Sequence, residues 1–334
     1  MNILLTGVTG FIGKHLVKAL LKNGHNPVCL IRENSVLGEL QEYDLPLYIG
    51  DITRKESLTD IPENLHAVLH LAARVDFSSL SAKSFLEMVN TNVEGTKNLF
   101  EAVIKRNPRL KKFIFFSTLA SLGFQRGQVV SNRSEPVPDT PYGQSKLLAE
   151  REISNLCQNH NIPLVILRPS LVYGTGDYKS DFLNSVRYIK KGLFPIFGSG
   201  DNIMSPLIFT QDLIEICCRF LIKESGGTFI CARNEEFTVN QFVTTIKNIV
   251  GVNKTMIRIP VKLGQTLIFP LEIICRIMDK PAPLNQRRIK DLSVDRRFSK
   301  IHEDLENAIA YHPSTTLEQG CRIVIPWYKE EGLI

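Results

Sequence analysis

Residues 1–13 read Met-Asn-Ile-Leu-Leu-Thr-Gly-Val-Thr-Gly-Phe-Ile-Gly, and their order decides the fold. Ile3-Leu4-Leu5 is a short apolar run of buried-strand type that breaks at Gly7. Glycine returns at Gly10 and Gly13, where a helical pattern of Leu16, Val17, Leu20 and Leu21 begins. Strand, glycine turn and helix in that order make a phosphate-binding crossover. Backbone N–H groups and the positive end of the helix face an anion, and the missing side chains let it approach. The spacing is Gly-x-x-Gly-x-x-Gly rather than the Gly-x-Gly-x-x-Gly of many dinucleotide binders, but the required strand before and helix after are present.

The alternation continues outward from that turn. After a helix stop at Gly24, Val28-Cys29-Leu30-Ile31 predicts a second strand and Leu47-Tyr48-Ile49 a third, ending at Gly50-Asp51. Residues 67–71, 113–116 and 164–167 predict three more, with helices over 85–105 and 143–157. Continuous apolar strands alternating with helices imply an α/β, doubly wound parallel sheet covered on both faces, its ligand at the carboxyl ends of the strands. The dinucleotide-binding domain is expected over 1–171. Residues 208–221 look like a strand and helix returning to the sheet, within a segment of about 205–231. Residues 172–204 and 232–334, broken by Gly and Pro, are expected to form a smaller C-terminal substrate lobe. Within it, 263–278 is the most apolar stretch. Interrupted by Pro270, Glu272 and Arg276, it is too short to span a bilayer. It reads as a lobe helix packed on the core, with an apolar substrate entrance or a shallow peripheral membrane contact as alternatives.

A chain of 334 residues exceeds one compact core, and 43% hydrophobic with 22% charged residues is a soluble globular composition. No basic and apolar leader precedes the first strand, so no signal peptide is expected. Seven scattered cysteines without Cys-x-x-Cys spacing argue against a zinc site or a disulfide framework, and for reduced thiols in a cytoplasm. The net charge of +6 concentrates locally in Gln286-Arg287-Arg288-Ile289-Lys290 and Asp295-Arg296-Arg297. Interleaved acids make these a solvated surface, with an anionic substrate or membrane surface as the lesser reading. Nothing further supports nucleic-acid binding.

Tyr142 and Lys146 open the helix after strand five, four residues apart and therefore on one face. An ammonium close to a phenol favours the phenolate and lowers a pKa otherwise about 10. Such a tyrosine can give a proton to a ketone oxygen or take one from an alcohol. Ser117-Thr118 ends strand five. There a hydroxyl either holds the reacting oxygen, the role favoured for Thr118, or merely satisfies backbone groups.

Thr-Gly-Val-Thr-Gly-Phe-Ile-Gly at 6–13, Gly-Asp-Ile at 50–52, His-Leu-Ala-Ala at 70–73, Asn-Val-Glu-Gly-Thr at 92–96, Tyr-Gly-Gln-Ser-Lys at 142–146 and Arg-Pro-Ser-Leu-Val-Tyr-Gly at 168–174 together resemble the extended short-chain dehydrogenase/reductases. That superfamily includes nucleotide-sugar epimerases and dehydratases, 3β-hydroxysteroid dehydrogenases and dihydroflavonol reductases, on a Rossmann fold. The resemblance spans nearly the whole chain, through Phe-Thr-Gln-Asp-Leu at 209–213 and Pro-Ser-Thr-Thr-Leu-Glu-Gln-Gly at 313–320. It implies that Gly7, Gly10, Phe11, Ile12 and Gly13 hold the pyrophosphate, Asp51 and Ile52 the adenine, and Leu71, Ala72 and Ala73 the segment under the nicotinamide ribose. Asn92 would support the site, Lys146 bind the ribose hydroxyls, and Pro169 and Ser170 flank the nicotinamide, with Thr118 and Tyr142 as the acid–base pair. A homodimer through helices 85–105 and 143–157 is implied by the same likeness.

Strand two ends in Ile31, Arg32 and Glu33. An arginine there accommodates the 2′-phosphate of NADP, an acid the 2′-hydroxyl of NAD. Arg32 favours NADP(H), with NAD(H) as the alternative if Glu33 faces the ribose. The family's dehydratases follow the catalytic threonine with Asp-Glu, where this chain has Leu119-Ala120. Nucleotide-sugar enzymes commonly carry an asparagine where this chain has Leu171, and a basic residue where it reads Ile203-Met204-Ser205-Pro206-Leu207. Arg187, Lys190, Lys191 or the arginines of 287–297 are alternative anion contacts. The expected activity is therefore an NAD(P)-dependent oxidoreductase interconverting a secondary alcohol and a ketone, the substrate an apolar ketone or a sugar nucleotide. A nucleotide-sugar 4-epimerase using the same residues, and a non-catalytic dinucleotide-binding protein, are the alternatives.

Overall fold

The computed structural model describes residues 1–76, 81–123, 128–277, 289 and 292–334. The basic residues Arg287, Arg288 and Lys290, with Met278, lie outside the described residues, as do the side chains of 271–277, Cys275 among them. In chain order the first half gives β1 (Asn2–Thr6), α1 (Phe11–Lys22), β2 (Asn26–Ile31), β3 (Leu47–Ile49), β4 (Ala67–His70), α2 (Ala82–Val89), α3 (Gly95–Arg106), β5 (Lys112–Phe116), β6 (Val129–Val130) and α4 (Pro141–Asn159). The second half gives β7 (Leu164–Pro169), β8 (Leu171–Tyr173), α5 (Asp181–Lys191), β9 (Pro195–Phe197), β10 (Leu207–Phe209), α6 (Thr210–Ile222) and β11 (Gly227–Cys231). After these come α7 (Val239–Val250), β12 (Ile257–Ile259), α8 (Val261–Ile277), β13 (Arg297–Phe298) and two C-terminal helices, Ile301–Ile309 and Leu317–Glu330.

Seven strands form one sheet in the order β11-β7-β5-β4-β1-β2-β3, every neighbouring pair parallel. Successive side chains of each strand enter opposite faces, and both faces are apolar. Ile3, Leu5, Ile114 and Phe116 join α1 and α6 in one core cluster, whereas Leu4, Phe113 and Phe115 join α3 and α4 in another. The strand order reverses between β1 and β4, so a crevice opens beyond their carboxyl ends, the ligand position of a doubly wound sheet.

Three local expectations are corrected. Residues 207–209 do not rejoin the large sheet: β10 pairs with β8, and the seventh strand is β11, which pairs with β7. The helix expected over 85–105 is interrupted by a π-helical turn at Asn90–Glu94, which turns Asn92 inward to hydrogen-bond partners. Strand four stops at His70, because the Thr6 hydroxyl accepts the N–H groups of both Leu71 and Ala72, at 3.1 and 3.0 Å.

A separate core cluster gathers Tyr173 of β8 with Phe182, Val186, Phe242, Ile246, Val324 and Tyr328 from α5, α7 and the last helix. Along residues 261–270 of α8 only Gly264 is buried, so this part is not the core-packed helix its composition suggested. Among the described residues no helix is long and apolar enough to cross a membrane.

Candidate active site

The glycine turn is fixed by sterics. Gly7 takes φ +73°, and a β-carbon there would lie 2.9 Å from the Ala72 nitrogen; one on Gly13 would lie 2.2 Å from the Gly7 carbonyl oxygen. Helix α1 starts after Gly10 with no side-chain cap and no acid in its first turn, leaving its N–H groups and positive end open. The Phe11 ring is turned toward Gly174 and Gly176, so Phe11 offers the turn its backbone.

A cavity of about 650 Å³ runs along the crevice, and its lining includes Gly7, Gly10, Arg32, Asp51, Ile52, Leu71, Ala72 and Ala73. Glu33 is absent from that lining but joins Arg32, Asp51 and Arg54 around a neighbouring cavity of about 340 Å³. Burial opposes ionisation of Asp51, yet hydrogen bonds from the Thr53 hydroxyl and N–H, with the charges of Arg32 and Arg54, hold its carboxyl below the usual range. Ile52 packs its side chain toward Gly95 at the start of α3.

Beneath the crevice a buried hydrogen-bond chain ties β1 to β4 and α3. Thr96 donates to the Asn92 carbonyl at 2.6 Å and so accepts from His70 Nε2 at 2.9 Å; His70 Nδ1 then accepts from Thr6 at 2.7 Å. This fixes the Nε2–H tautomer of His70, and burial pushes its pKa down to about 3, keeping it neutral. Asn92 exchanges hydrogen bonds with the Arg74 backbone and donates to Ser145 at 2.9 Å, linking the end of β4 to α4 beside Lys146.

Tyr142, Lys146 and Glu150 follow at four-residue intervals on the inner side of α4, all buried. Thr140 caps this helix by accepting the Gly143 N–H at 3.0 Å, and a β-carbon on Gly143 would collide with the Ala120 carbonyl oxygen, so the helix start fits tightly against the turn after β5. Burial pushes the Tyr142 phenol up, the reverse of the lowering that the Tyr142–Lys146 spacing led one to expect. Burial pulls Lys146 down to about 7, opposed by the Glu150 charge, and its ammonium lies 4.1 Å from the Phe115 ring centre. Glu150 in turn accepts from Arg168 Nε at 3.0 Å and Nη2 at 2.5 Å, from Ser121 at 2.8 Å, and from Ser117.

Thr118 is half-buried and its oxygen accepts the Ala120 N–H at 3.2 Å, which leaves its own O–H to donate. Pro169 ends β7, and Ser170, whose N–H donates to the Cys231 carbonyl, has a buried hydroxyl without a hydrogen-bond partner among the described residues. Thr118, Tyr142, Lys146, Asn92, Pro169 and Ser170 stand outside the lining of the large cavity, as do Phe11, Ile12 and Gly13. The sequence reading missed Thr6, His70, Glu150 and Arg168. Glu150 was open to discovery, since it continues the Tyr142–Lys146 spacing by one more turn. Among the described residues no cluster of His, Cys, Asp and Glu is arranged to hold a metal.

The parallel sheet, the glycine turn and the tyrosine–lysine helix define an extended short-chain dehydrogenase/reductase. Residues 3–232 match the model of the NAD dependent epimerase/dehydratase family, and the chain belongs to that family. It is an enzyme of that family. The chain is 26% identical to the UDP-glucose 4-epimerase of Vibrio cholerae over 96% of its own length and 93% of that protein's. It is 24% identical to the decarboxylating sterol-4-alpha-carboxylate 3-dehydrogenase of Schizosaccharomyces pombe, over 99% and 98% of the two chains. Its fold matches UDP-glucuronic acid 4-epimerase from Bacillus cereus in complex with NAD, with TM-score 0.75, 25% identity and 99% of each chain covered.

Proposed function

We propose that this enzyme interconverts a secondary alcohol and a ketone, with Tyr142 exchanging the proton at the substrate oxygen. The observation that carries the proposal is the burial of Tyr142 and Lys146 together on one face of α4, one turn apart, at the end of β5. A buried phenol holds its proton tightly, and a cation one turn away is what lets it be released. Thr118 positions the substrate oxygen with its free O–H, and Lys146 tunes Tyr142 and binds ribose hydroxyls. The glycine turn and open start of α1 hold a pyrophosphate, Asp51 and Ile52 an adenine, Leu71 to Ala73 a ribose, and Pro169 with the buried Ser170 hydroxyl the nicotinamide face. When bound, the nicotinamide supplies or accepts the hydride. Residues 1–171 with about 205–231 serve the dinucleotide; the helix Ile301–Ile309, expected in the substrate lobe, packs Leu305 and Ile309 into the core of the large sheet instead, and the remaining residues form the substrate lobe.

Arg32 rather than Glu33 lines the large cavity, which supports NADP(H) over NAD(H). The absence of Asp-Glu after Thr118 argues against elimination of water. Apolar Leu171 and Ile203–Leu207 favour a substrate less anionic than a sugar nucleotide. Net-redox-free 4-epimerisation of a nucleotide sugar is the second reading, favoured by likeness to UDP-glucose 4-epimerase along nearly the full chain. Outward-facing Leu86 on α2 and Leu148 on α4 support a homodimer through these helices.

The test is to denature the purified protein, assay for released dinucleotide, and titrate it with NADPH and NADH by nicotinamide fluorescence. Exchangeable binding, tighter for NADPH and weakened about tenfold or more by Arg32→Ser, is expected. Released NAD with conversion of a UDP-sugar and no net redox would establish the epimerase instead.

A further inference from the structure

Two acid-free segments meet in the C-terminal part of the chain. Residues 182–200 and 247–271 contain no aspartate or glutamate, while carrying Arg187, Lys190, Lys191, Lys247, Lys254, Arg258 and Lys262. Pairing of β9 with β12 puts them side by side, with Ile257 opposite Pro195 and Ile259 opposite Phe197. Helix α8 leaves this ribbon after Pro260 and packs its Gly264 edge against it, where an added β-carbon would meet the Phe197 ring and Ile259.

With Gly264 inward, α8 turns apolar side chains outward. Leu263 and Leu267, one turn apart on the same side of the helix, are 50% and 63% exposed, and Ile257 of β12 and Leu193 just before β9 are 48% and 52% exposed. Large apolar side chains exposed together mark an interaction surface, unlike the scattered singles of an ordinary exterior. The rim is cationic. Lys190, Lys191, Lys254 and Lys262 are all exposed, the Lys254 ammonium reaches the Lys191 carbonyl at 3.5 Å, and among the described residues none of the four pairs with a carboxylate.

We infer that this face is a docking surface for an anionic lipid bilayer, α8 lying in the plane of the interface. Leu263 and Leu267 enter the headgroup and acyl boundary, and the four lysines meet lipid phosphates. An apolar partner protein would satisfy the leucines but not a rim of lysines that, among the described residues, have no carboxylate partner. An acidic lipid surface satisfies both. The contact is peripheral, since the helix cannot span.

The experiment is flotation of the full-length protein with vesicles of phosphatidylcholine alone and of phosphatidylcholine with phosphatidylglycerol in about equal parts. Binding to the anionic vesicles, reversed by high salt, is the expected result. Leu263→Ser/Leu267→Ser changes only exposed side chains and is expected to lower partitioning about tenfold or more while leaving dinucleotide titration unchanged. Lys190→Gln/Lys191→Gln/Lys254→Gln/Lys262→Gln is expected to lower it on anionic vesicles only. No flotation with either vesicle overturns the inference. So does self-association in sedimentation velocity that the apolar variant abolishes without any vesicle binding, which would make the face a contact between two copies.

Discussion

The ammonium of Lys146 lies 4.1 Å from the centre of the Phe115 ring, so its charge is held inside the protein against an aromatic face. Burial is the larger influence and brings its pKa from 10.5 to about 7. Below pH 7 both folded and unfolded chains carry the proton, and the cost of burying the charge is fully present. Between about 7 and 10.5 the folded protein releases the proton first, the unfolded chain binds more, and stability rises with pH. Lys146→Met removes this dependence. Thermal unfolding of both proteins across that range should show wild type gaining on the variant as pH rises; a constant difference contradicts the assignment.

Tyr142→Phe keeps the buried ring and deletes the hydroxyl. Turnover is expected to fall about 10²–10⁴-fold with dinucleotide affinity nearly unchanged. Thr118→Ala removes an oxygen that already serves the Ala120 N–H, so it should lower turnover less and cost some stability as well. Steady-state kinetics with fluorescence titration separate the two; equal losses for both variants would assign the proton step elsewhere.

Glu150 and Arg168 form a buried pair, with side chains 4% and 7% exposed. Glu150→Ala strands the guanidinium in the core and is expected to destabilise the fold by about 3–5 kcal/mol, whereas Glu150→Met with Arg168→Leu should cost less because no guanidinium is left unpaired there. Urea titration of the single and double variants measures this. A double variant as unstable as the single one would mean that Ser117 and Ser121, which also donate to Glu150, matter more than the ion pair.

Gly13→Ala forces a methyl group to within 2.2 Å of the Gly7 carbonyl oxygen unless the turn opens. Both partners are backbone, so relief requires moving α1 away from the turn. A stability loss of about 1–3 kcal/mol and a marked loss of dinucleotide binding are expected together. Gly24→Ala is the control: nothing lies within 4 Å of its added carbon, and only the strain of its positive φ of 71° is felt.

Strands β1 to β5 and β7 and the Tyr142–Lys146 pair could be read from the chain because both depend on local periodicity. Ile3-Leu4-Leu5 and Phe113–Phe116 are apolar on both faces, and a four-residue spacing on a helix needs no distant information. β11 was missed because Gly227-Thr228-Phe229-Ile230-Cys231 finds its partner only in β7, more than fifty residues earlier, with a whole set of elements between. The buried pairing of Glu150 with Arg168 was equally hidden, since in sequence Glu150 is one charge among several on an amphipathic helix. Residues 261–270 of α8 misled for the opposite reason. Apolar content says that a helix has a greasy face, and only the fold says whether that face meets the core.

The late arrival of β11 bears on how the chain is made. Until Cys231 has left the ribosome, β7 has no neighbour on its outer side, and Leu164–Pro169 presents a bare row of N–H and C=O groups on an apolar strand. A nascent or truncated chain stopping near residue 171 would therefore carry an adhesive edge. The large sheet of this enzyme is completed from downstream, and the intervening segment from Leu171 to Gly226 has to be synthesised before the sheet is closed to aggregation.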